Sequence, residues 1–386
     1  MKIVVAFDSL KGSLSSAQAN AAVASALRAR YTDADVAEVC VADGGEGTGD
    51  ALAAAYGARR LTIKVADPLG RSVDACFHVS ADRRTAIIDT AAASGLPLVA
   101  PDERNPMLTS SYGTGQMIAA AVDMGCRTIM LGLGGSATVD CGCGALQALG
   151  FRFLDSHGTP LGRGGRIMAQ IAGIDSTGRL DGLDKVRFML FSDVDNTLFG
   201  PDGAAYTFGP QKGADRAMCE ALDEGARNFM AAVTAGGYDD TSGMAGAGAA
   251  GGMGAAFTSI LGARMLAGAP SILETIDFDA TILDASLIVT GEGRLDATTL
   301  HGKAPFAVLQ CARRYGIPVV AVGGGVADAD ALRASGFAAV GASTPPDMPL
   351  SEAMRPDTAA DLLARRTLEI VPVSYTHLTL PTMLAV

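Results

Sequence analysis

Residues Asp284 to Lys303 read DASLIVTGEGRLDATTLHGK. The apolar run Leu287-Ile288-Val289 has the unalternated character of a strand buried on both faces of a parallel sheet. Glycines at Gly291 and Gly293 turn the chain, and Glu292, Arg294, Asp296, Thr298, Thr299, His301 and Lys303 crowd the same short stretch. A turn that only reverses direction does not need that density, although a βα turn with a solvated helix start is the plainer alternative. In open α/β sheets ligands bind beyond the carboxyl ends of the strands. The stretch therefore predicts both an α/β fold and the position of a site.

Upstream, the same grammar repeats. Met1 to Phe7 is an apolar strand that ends in Asp8-Ser9-Leu10-Lys11-Gly12-Ser13 before an alanine-rich helix, with Ser15 or Ser16 as N-cap. Ser9, Lys11 and Ser13 suit a phosphate beside a helix N-terminus. A second strand, Val36 to Val41, runs into Asp43-Gly44-Gly45-Glu46-Gly47-Thr48 and a helix from Gly49 to Tyr56. From Leu61 to Ile88 the pattern changes to short alternating runs that predict antiparallel hairpins, a domain junction near Leu61 and a smaller sheet layered on the parallel core.

Arg104-Asn105-Pro106 and the hydroxyl-rich Thr109 to Gly115 lead into a helix over Gln116 to Met124, an approach that can cap the helix or bind an anion. After the strand Thr128 to Leu131, Gly132, Gly134 and Ala137 match G-x-G-x-x-A, and Asp155 ends the run FRFLD where a ribose-binding acid would stand. That is a dinucleotide fingerprint, and it supports an NAD-dependent oxidoreductase as a rival reading. Arg187 to Phe191 is another strand, ending in Ser192-Asp193-Val194-Asp195-Asn196, where two carboxylates and an amide suit either a turn or a hard cation such as Mg2+. Gly243 to Gly254 can bring backbone close to a ligand, or act as a connector. Strands over Pro318 to Val322 and Ala338 to Gly341 complete the core. The last segment, Val373 to Val386, has no helical period and reads as a non-native tail outside the fold.

Composition limits the function. The 386 residues suffice for two domains, and 48 glycines with 5% aromatic content describe close-packed α/β structure. A formal charge of -11 argues against nucleic-acid or anionic-membrane partners, which need clustered Lys and Arg. Seven cysteines without framework spacing predict free thiols and a cytoplasmic protein. Cys141 and Cys143 lack the second ligand pair a structural zinc site needs.

The chain resembles the bacterial-type glycerate kinase family over residues 1 to 345. The resemblance rests on DSLKGSLS (Asp8 to Ser15), DGGEGT (Asp43 to Thr48), RNP (Arg104 to Pro106), SYGTG (Ser111 to Gly115), GLGGSAT (Gly132 to Thr138), DVDN (Asp193 to Asn196), FGPQKG (Phe208 to Gly213), GAGAAGGMG (Gly246 to Gly254) and TGEGRLD (Thr290 to Asp296) with Gly302-Lys303. Two positions depart from the family pattern, which has Asn at Val139 and Gly at Cys141. The resemblance implies phosphoryl transfer from ATP to D-glycerate, usually at the 2-hydroxyl, with the 3-hydroxyl open as the alternative. It also implies a Rossmann-like domain built from both ends of the chain, taken as 1–60 and 280–370, with a second α/β domain inserted over 61–279 and substrates meeting between them.

Phosphoryl transfer asks a protein chiefly to position two anions and neutralise charge. No Walker A loop occurs, so glycine turns, helix N-termini and scattered cations must hold the phosphates. Lys11, Ser13, Lys212, Arg294 and Lys303 are candidates for phosphate or the glycerate carboxylate, joined by Ser9, Arg104 and Thr114. The turns containing Gly134, Gly135 and Ser136, and Gly251 and Gly252, would cradle nucleotide or substrate. Asp193 and Asp195 are the Mg2+ candidates. Asp43, Glu292 and Asp296 compete as general base, Asp296 leading because it lies in the most polar turn. A non-catalytic metabolite-binding protein is a third reading, and the sequence leaves room for a homo-oligomer.

Overall fold

The computed structural model describes residues 1–45 and 47–378, with side chains given up to residue 371 apart from Ala267. The chain divides into two compact units, Met1–Ala55 with Gly268–Val386, and Tyr56–Ala267. These boundaries fall a little earlier than the sequence reading placed them, at 55/56 and 267/268.

The first unit is built on five parallel strands in the order Ala339–Ala342, Val319–Gly323, Leu287–Gly291, Lys2–Phe7, Asp35–Glu38. The three central strands are apolar almost throughout because both faces are covered. On one face Val4, Ala6, Ile288 and Ala321 pack with the helix Ala304–Arg314. On the other, Ile3, Val5, Val289 and Val320 meet the helices Ser16–Arg30 and Pro356–Leu378. From Lys2–Phe7 the chain moves outward to Asp35–Glu38, whereas from Leu287–Gly291 it moves the other way to Val319–Gly323 and Ala339–Ala342. The direction of winding thus reverses between Lys2–Phe7 and Leu287–Gly291, the switch point where such sheets open a crevice. Gly291 makes the close register possible, because a Cβ there would lie 1.8 Å from the Val322 carbonyl oxygen and 2.6 Å from the Phe7 ring.

The final helix, Pro356–Leu378, buries Ala359, Leu363, Ile370 and Val371 in this core. Its backbone continues through residues 373–378, so the first part of the segment read as aperiodic is helical; residues 379–386 lie outside the described residues.

The second unit holds one six-stranded sheet, ordered Arg264–Ala267, Arg187–Ser192, Thr128–Gly132, Thr85–Asp89, Ser72–Val79, Arg59–Ala66. The first four strands are parallel, and the last two add an antiparallel hairpin. The smaller layered sheet expected from Leu61 to Ile88 is therefore absent: the hairpin extends the parallel sheet edge-on, since Thr85–Asp89 pairs with both Ser72–Val79 and Thr128–Gly132. No described helix is long and apolar enough to cross a membrane.

Candidate active site

In the first unit, three carboxylates gather at the carboxyl ends of the strands. Asp8 follows Lys2–Phe7 directly and is 2% exposed; its Oδ1 accepts the Ser9 N–H at 2.7 Å. Asp43 is buried and accepts the Gly45 N–H, and Glu292 follows Leu287–Gly291. Lys11 Nζ stands 3.8 Å from Asp43 Oδ2 and Lys303 Nζ 3.4 Å from Glu292 Oε2, while the Thr299 hydroxyl donates to Glu292 Oε1 at 2.7 Å.

Burial and the nearby Asp43 carboxylate push the Asp8 pKa well above the ordinary value of 3.8, against the Ser9 amide and Lys11, with Glu292 adding a smaller push. Glu292 is also raised, by burial, against Thr299 and Lys303. Asp296 behaves oppositely. It caps the turn Ala297–Leu300, accepts the Thr298 N–H and hydroxyl, and lies 3.3 Å from Arg294 Nε. The Thr298 hydroxyl above all, then the Thr298 amide, Lys303 and Arg294, hold its pKa below the ordinary value.

The hydroxyls of Ser9 and Ser13 are buried without a hydrogen-bond partner, which is costly unless something else satisfies them. With Asp8, Lys11, Glu292, Arg294 and Lys303 they line a cavity of about 430 Å³. Ser9, Lys11 and Ser13 also line a second cavity, of about 520 Å³, at the start of the helix Ser16–Arg30. Ser15 caps that helix through a box with Gln18, and the Ser16 hydroxyl donates to the Phe7 carbonyl, tying the helix to the strand end. Sequence reasoning missed Asp8 as a titrating group. Its signal was an acid at the end of an uninterrupted apolar strand.

The second unit holds another polar cluster. Lys212, 3% exposed, donates to Ser136 Oγ at 2.9 Å and to the Thr138 carbonyl at 2.8 Å. Burial pulls its pKa down from 10.5 to about 7, against the pull of Asp140. Asp140 is fully buried and accepts the amide and hydroxyl of Ser111 and the amides of Gly142 and Gly144; burial raises its pKa in spite of them. Thr138 Oγ1 and Arg104 Nε are buried without partners. Unfolding would expose Lys212 and return it to its ordinary pKa, so the unfolded chain binds the extra proton and this group makes folding more favourable as pH rises from about 7 toward 10.5. Lys212→Met should flatten that rise, measured as the wild-type minus variant difference in urea midpoint between pH 7 and 9.5; parallel curves would show that Lys212 is charged in the fold.

Several expected ligand contacts are packing contacts instead. Thr114 is fully buried, its hydroxyl 2.8 Å from that of Ser94. Gly251 and Gly252 adopt left-handed backbone, with φ of 66° and 92°. A Cβ on Gly251 would lie 2.0 Å from the Thr138 carbonyl oxygen and one on Gly252 2.7 Å from Cys141 Sγ. The backbone approached so closely is the protein's own, in the turn that holds Ser136 and Thr138. Gly134 and Gly135 stay accessible in that turn. Cys141 has φ of 48°, the conformation that favours the glycine of the family pattern.

Asp193 and Asp195 are both exposed beyond the strand Arg187–Ser192. Among the described residues no three His, Cys, Asp or Glu are grouped to hold a metal, Cys141 and Cys143 included, and all seven cysteines are free. The dinucleotide fingerprint also fails. The strand Thr128–Gly132 leads into a turn and then the short helix Cys143–Ala148, and Asp155 follows Arg152–Leu154, which pairs with Gly173–Asp175 in a separate antiparallel sheet. Its carboxylate is occupied by the amides of His157 and Thr159.

Comparison with known proteins adds an independent line. The model of the glycerate kinase family matches residues 3–374. A glycerate kinase of Bacillus subtilis (strain 168) is 42% identical over 374 residues, 96% of this chain and 97% of that one. A glycerate 2-kinase of Escherichia coli (strain K12) is 40% identical over 85% of this chain and 86% of its own length. The crystal structure of a candidate glycerate kinase 2 from Salmonella typhimurium LT2 matches with a TM-score of 0.86 at 38% identity, covering 98% of both chains.

Proposed function

The chain belongs to the glycerate kinase family, and on that premise we propose that it transfers the terminal phosphoryl group of ATP to the 2-hydroxyl of D-glycerate, giving 2-phosphoglycerate and ADP. The observation that carries the chemistry is the meeting of buried carboxylates and lysines at the switch point of the first unit's sheet.

A general base needs a pKa near working pH and an unoccupied acceptor. Asp8 meets this better than Asp296, whose pKa is lowered and whose carboxylate caps its own turn. Asp8 is therefore assigned to take the hydroxyl proton as the glycerate oxygen attacks the terminal phosphorus. The bond from that phosphorus to its bridging oxygen breaks, ADP leaves with the electron pair, and Asp8 later returns the proton to water. Asp43 and Glu292 hold Lys11 and Lys303 toward the cavity, where with Ser13 and Arg294 they neutralise phosphate or carboxylate charge. In the second unit, the unpartnered Arg104 Nε and Thr138 Oγ1 beside the Lys212 turn suit an anion, which would recharge Lys212 on arrival.

Mg2+ is expected to accompany ATP. Exposed Asp193 and Asp195 would offer the oxygen donors that a hard cation takes. The free cysteines support a cytoplasmic setting. The test is ADP release coupled to D-glycerate with and without Mg2+, followed by phosphorus NMR of the product. Mg2+-dependent release with a 2-phosphoglycerate signal is expected. A 3-phosphoglycerate signal would overturn the regiochemistry, and no release from folded protein would overturn the acceptor.

A further inference from the structure

The 430 Å³ cavity of the first unit has two unlike sides. Ser9, Lys11, Ser13, Arg294 and Lys303, with Asp8 and Glu292 among them, supply a charged, hydroxyl-bearing side in which three cations stand beside two carboxylates. The other is apolar, made by Leu10 together with Leu350, Ala353 and Met354 of the helix Leu350–Ala353 and its C-cap, and by Ala359 and Leu362 of the helix Pro356–Leu378. Leu350 is 71% exposed, so its own fold does not account for it. Met354 reaches back to Gly12, whose Cβ position would lie 3.1 Å from Met354 Cε, and so joins the apolar side to the loop that carries Lys11 and Ser13.

Organic ligand sites are largely apolar cavities of this size with a few placed polar groups. D-glycerate bears oxygen on every carbon and has no apolar surface to offer such a wall. A nucleoside triphosphate has both parts, a flat base and a polyanion. We infer that this cavity is the nucleoside subsite, the base and ribose lying against Leu350, Met354 and Leu362 and the phosphates running toward Lys11, Ser13 and Lys303. Ser13 Oγ, buried without a partner on the cavity wall, then finds an acceptor in the phosphate chain. The inference rests on ATP being the donor, and it moves the nucleoside away from the turns at Gly132 to Ser136 and Gly246 to Gly254.

The test is calorimetric titration of the full chain with ATP and, separately, with inorganic triphosphate. It compares wild type, Leu350→Asn, whose site is exposed and safe for folding, and the double variant Leu350→Asn/Met354→Gln, with a thermal melt of each. Removing apolar pocket contacts is worth about tenfold or more, so the Kd for ATP should rise about tenfold in the double variant and by a smaller factor in Leu350→Asn, with that for triphosphate nearly unchanged. ATP affinity within twofold of wild type in folded Leu350→Asn and in the double variant would overturn the subsite. Weakened ATP binding in the variants with no ADP release from the wild type and D-glycerate would keep the subsite and overturn the acceptor. Turnover with unaltered ATP affinity in the variants would do the reverse.

Discussion

Asp8→Asn is expected to lower kcat by about 100- to 10,000-fold, the usual worth of a positioned general base, while raising the melting temperature at neutral pH. The two effects share one cause. Asp8 is 2% exposed and faces Asp43, so burial and like charge both oppose its ionisation. A carboxyl whose pKa is raised on folding adds stability at low pH and loses it as pH rises through the folded value. At pH 7 the unfolded chain ionises this carboxyl freely while the fold opposes it, which is a net cost to folding, and Asn, of the same shape and still able to accept the Ser9 N–H, removes that cost. Stability given up for a reactive group is a common exchange at active sites. The same shift places the acid limb of the kcat/KM profile above the ordinary carboxylate pKa of 3.8, and Asp8→Asn should abolish that limb. A variant with near wild-type kcat, or with reduced kcat and an unmoved limb, would transfer the base role to Glu292 or Asp43.

Gly251→Ala should destabilise the second unit by roughly 3 kcal/mol, the sum of left-handed strain and overpacking, or about 10 °C in melting temperature. The new Cβ would stand 2.0 Å from the Thr138 carbonyl oxygen, the atom that accepts a proton of Lys212. The Thr138–Cys141 turn would have to move, and with it the Lys212 contact and the Cys141 N–H bond to the Gly251 carbonyl. Gly262→Ala is the matched control: its φ is 62°, but nothing lies within 4 Å of the added carbon, so only the backbone strain of about 1 kcal/mol applies. Equal losses in the two variants would show that conformation alone, and not the close approach, makes Gly251 necessary.

Much of this was legible in the residues. Unbroken apolar runs such as Leu287-Ile288-Val289 fit a doubly covered parallel strand, and polar residues clustered after them point to a strand-end site. Lys11, Ser13, Glu292 and Lys303 all follow such runs in the sequence, and all line one cavity. The hairpin between Arg59 and Val79 was legible as antiparallel, but not the sheet it joins, because alternation describes a strand's faces and says nothing of which edge it pairs with.

The choice among carboxylates was not legible. Asp8, Glu292 and Asp296 look alike in a string of letters, and the most polar turn drew attention to Asp296. What separates them is burial and the neighbouring groups: packing buries Asp8 beside Asp43 from a distant turn, whereas Asp296 is held ionised locally by Thr298 and Arg294, each two residues away. The same holds for Gly251, whose glycine was read as room for a ligand when the room is taken by Thr138, more than a hundred residues earlier. The sequence by itself determined the strands, their order of polar ends and the family, because these follow from local periodicity and contiguous motifs. Only the tertiary structure decided which acid is buried, which lysine is desolvated and which glycine faces protein, because desolvation and close approach exist only once distant segments are packed together.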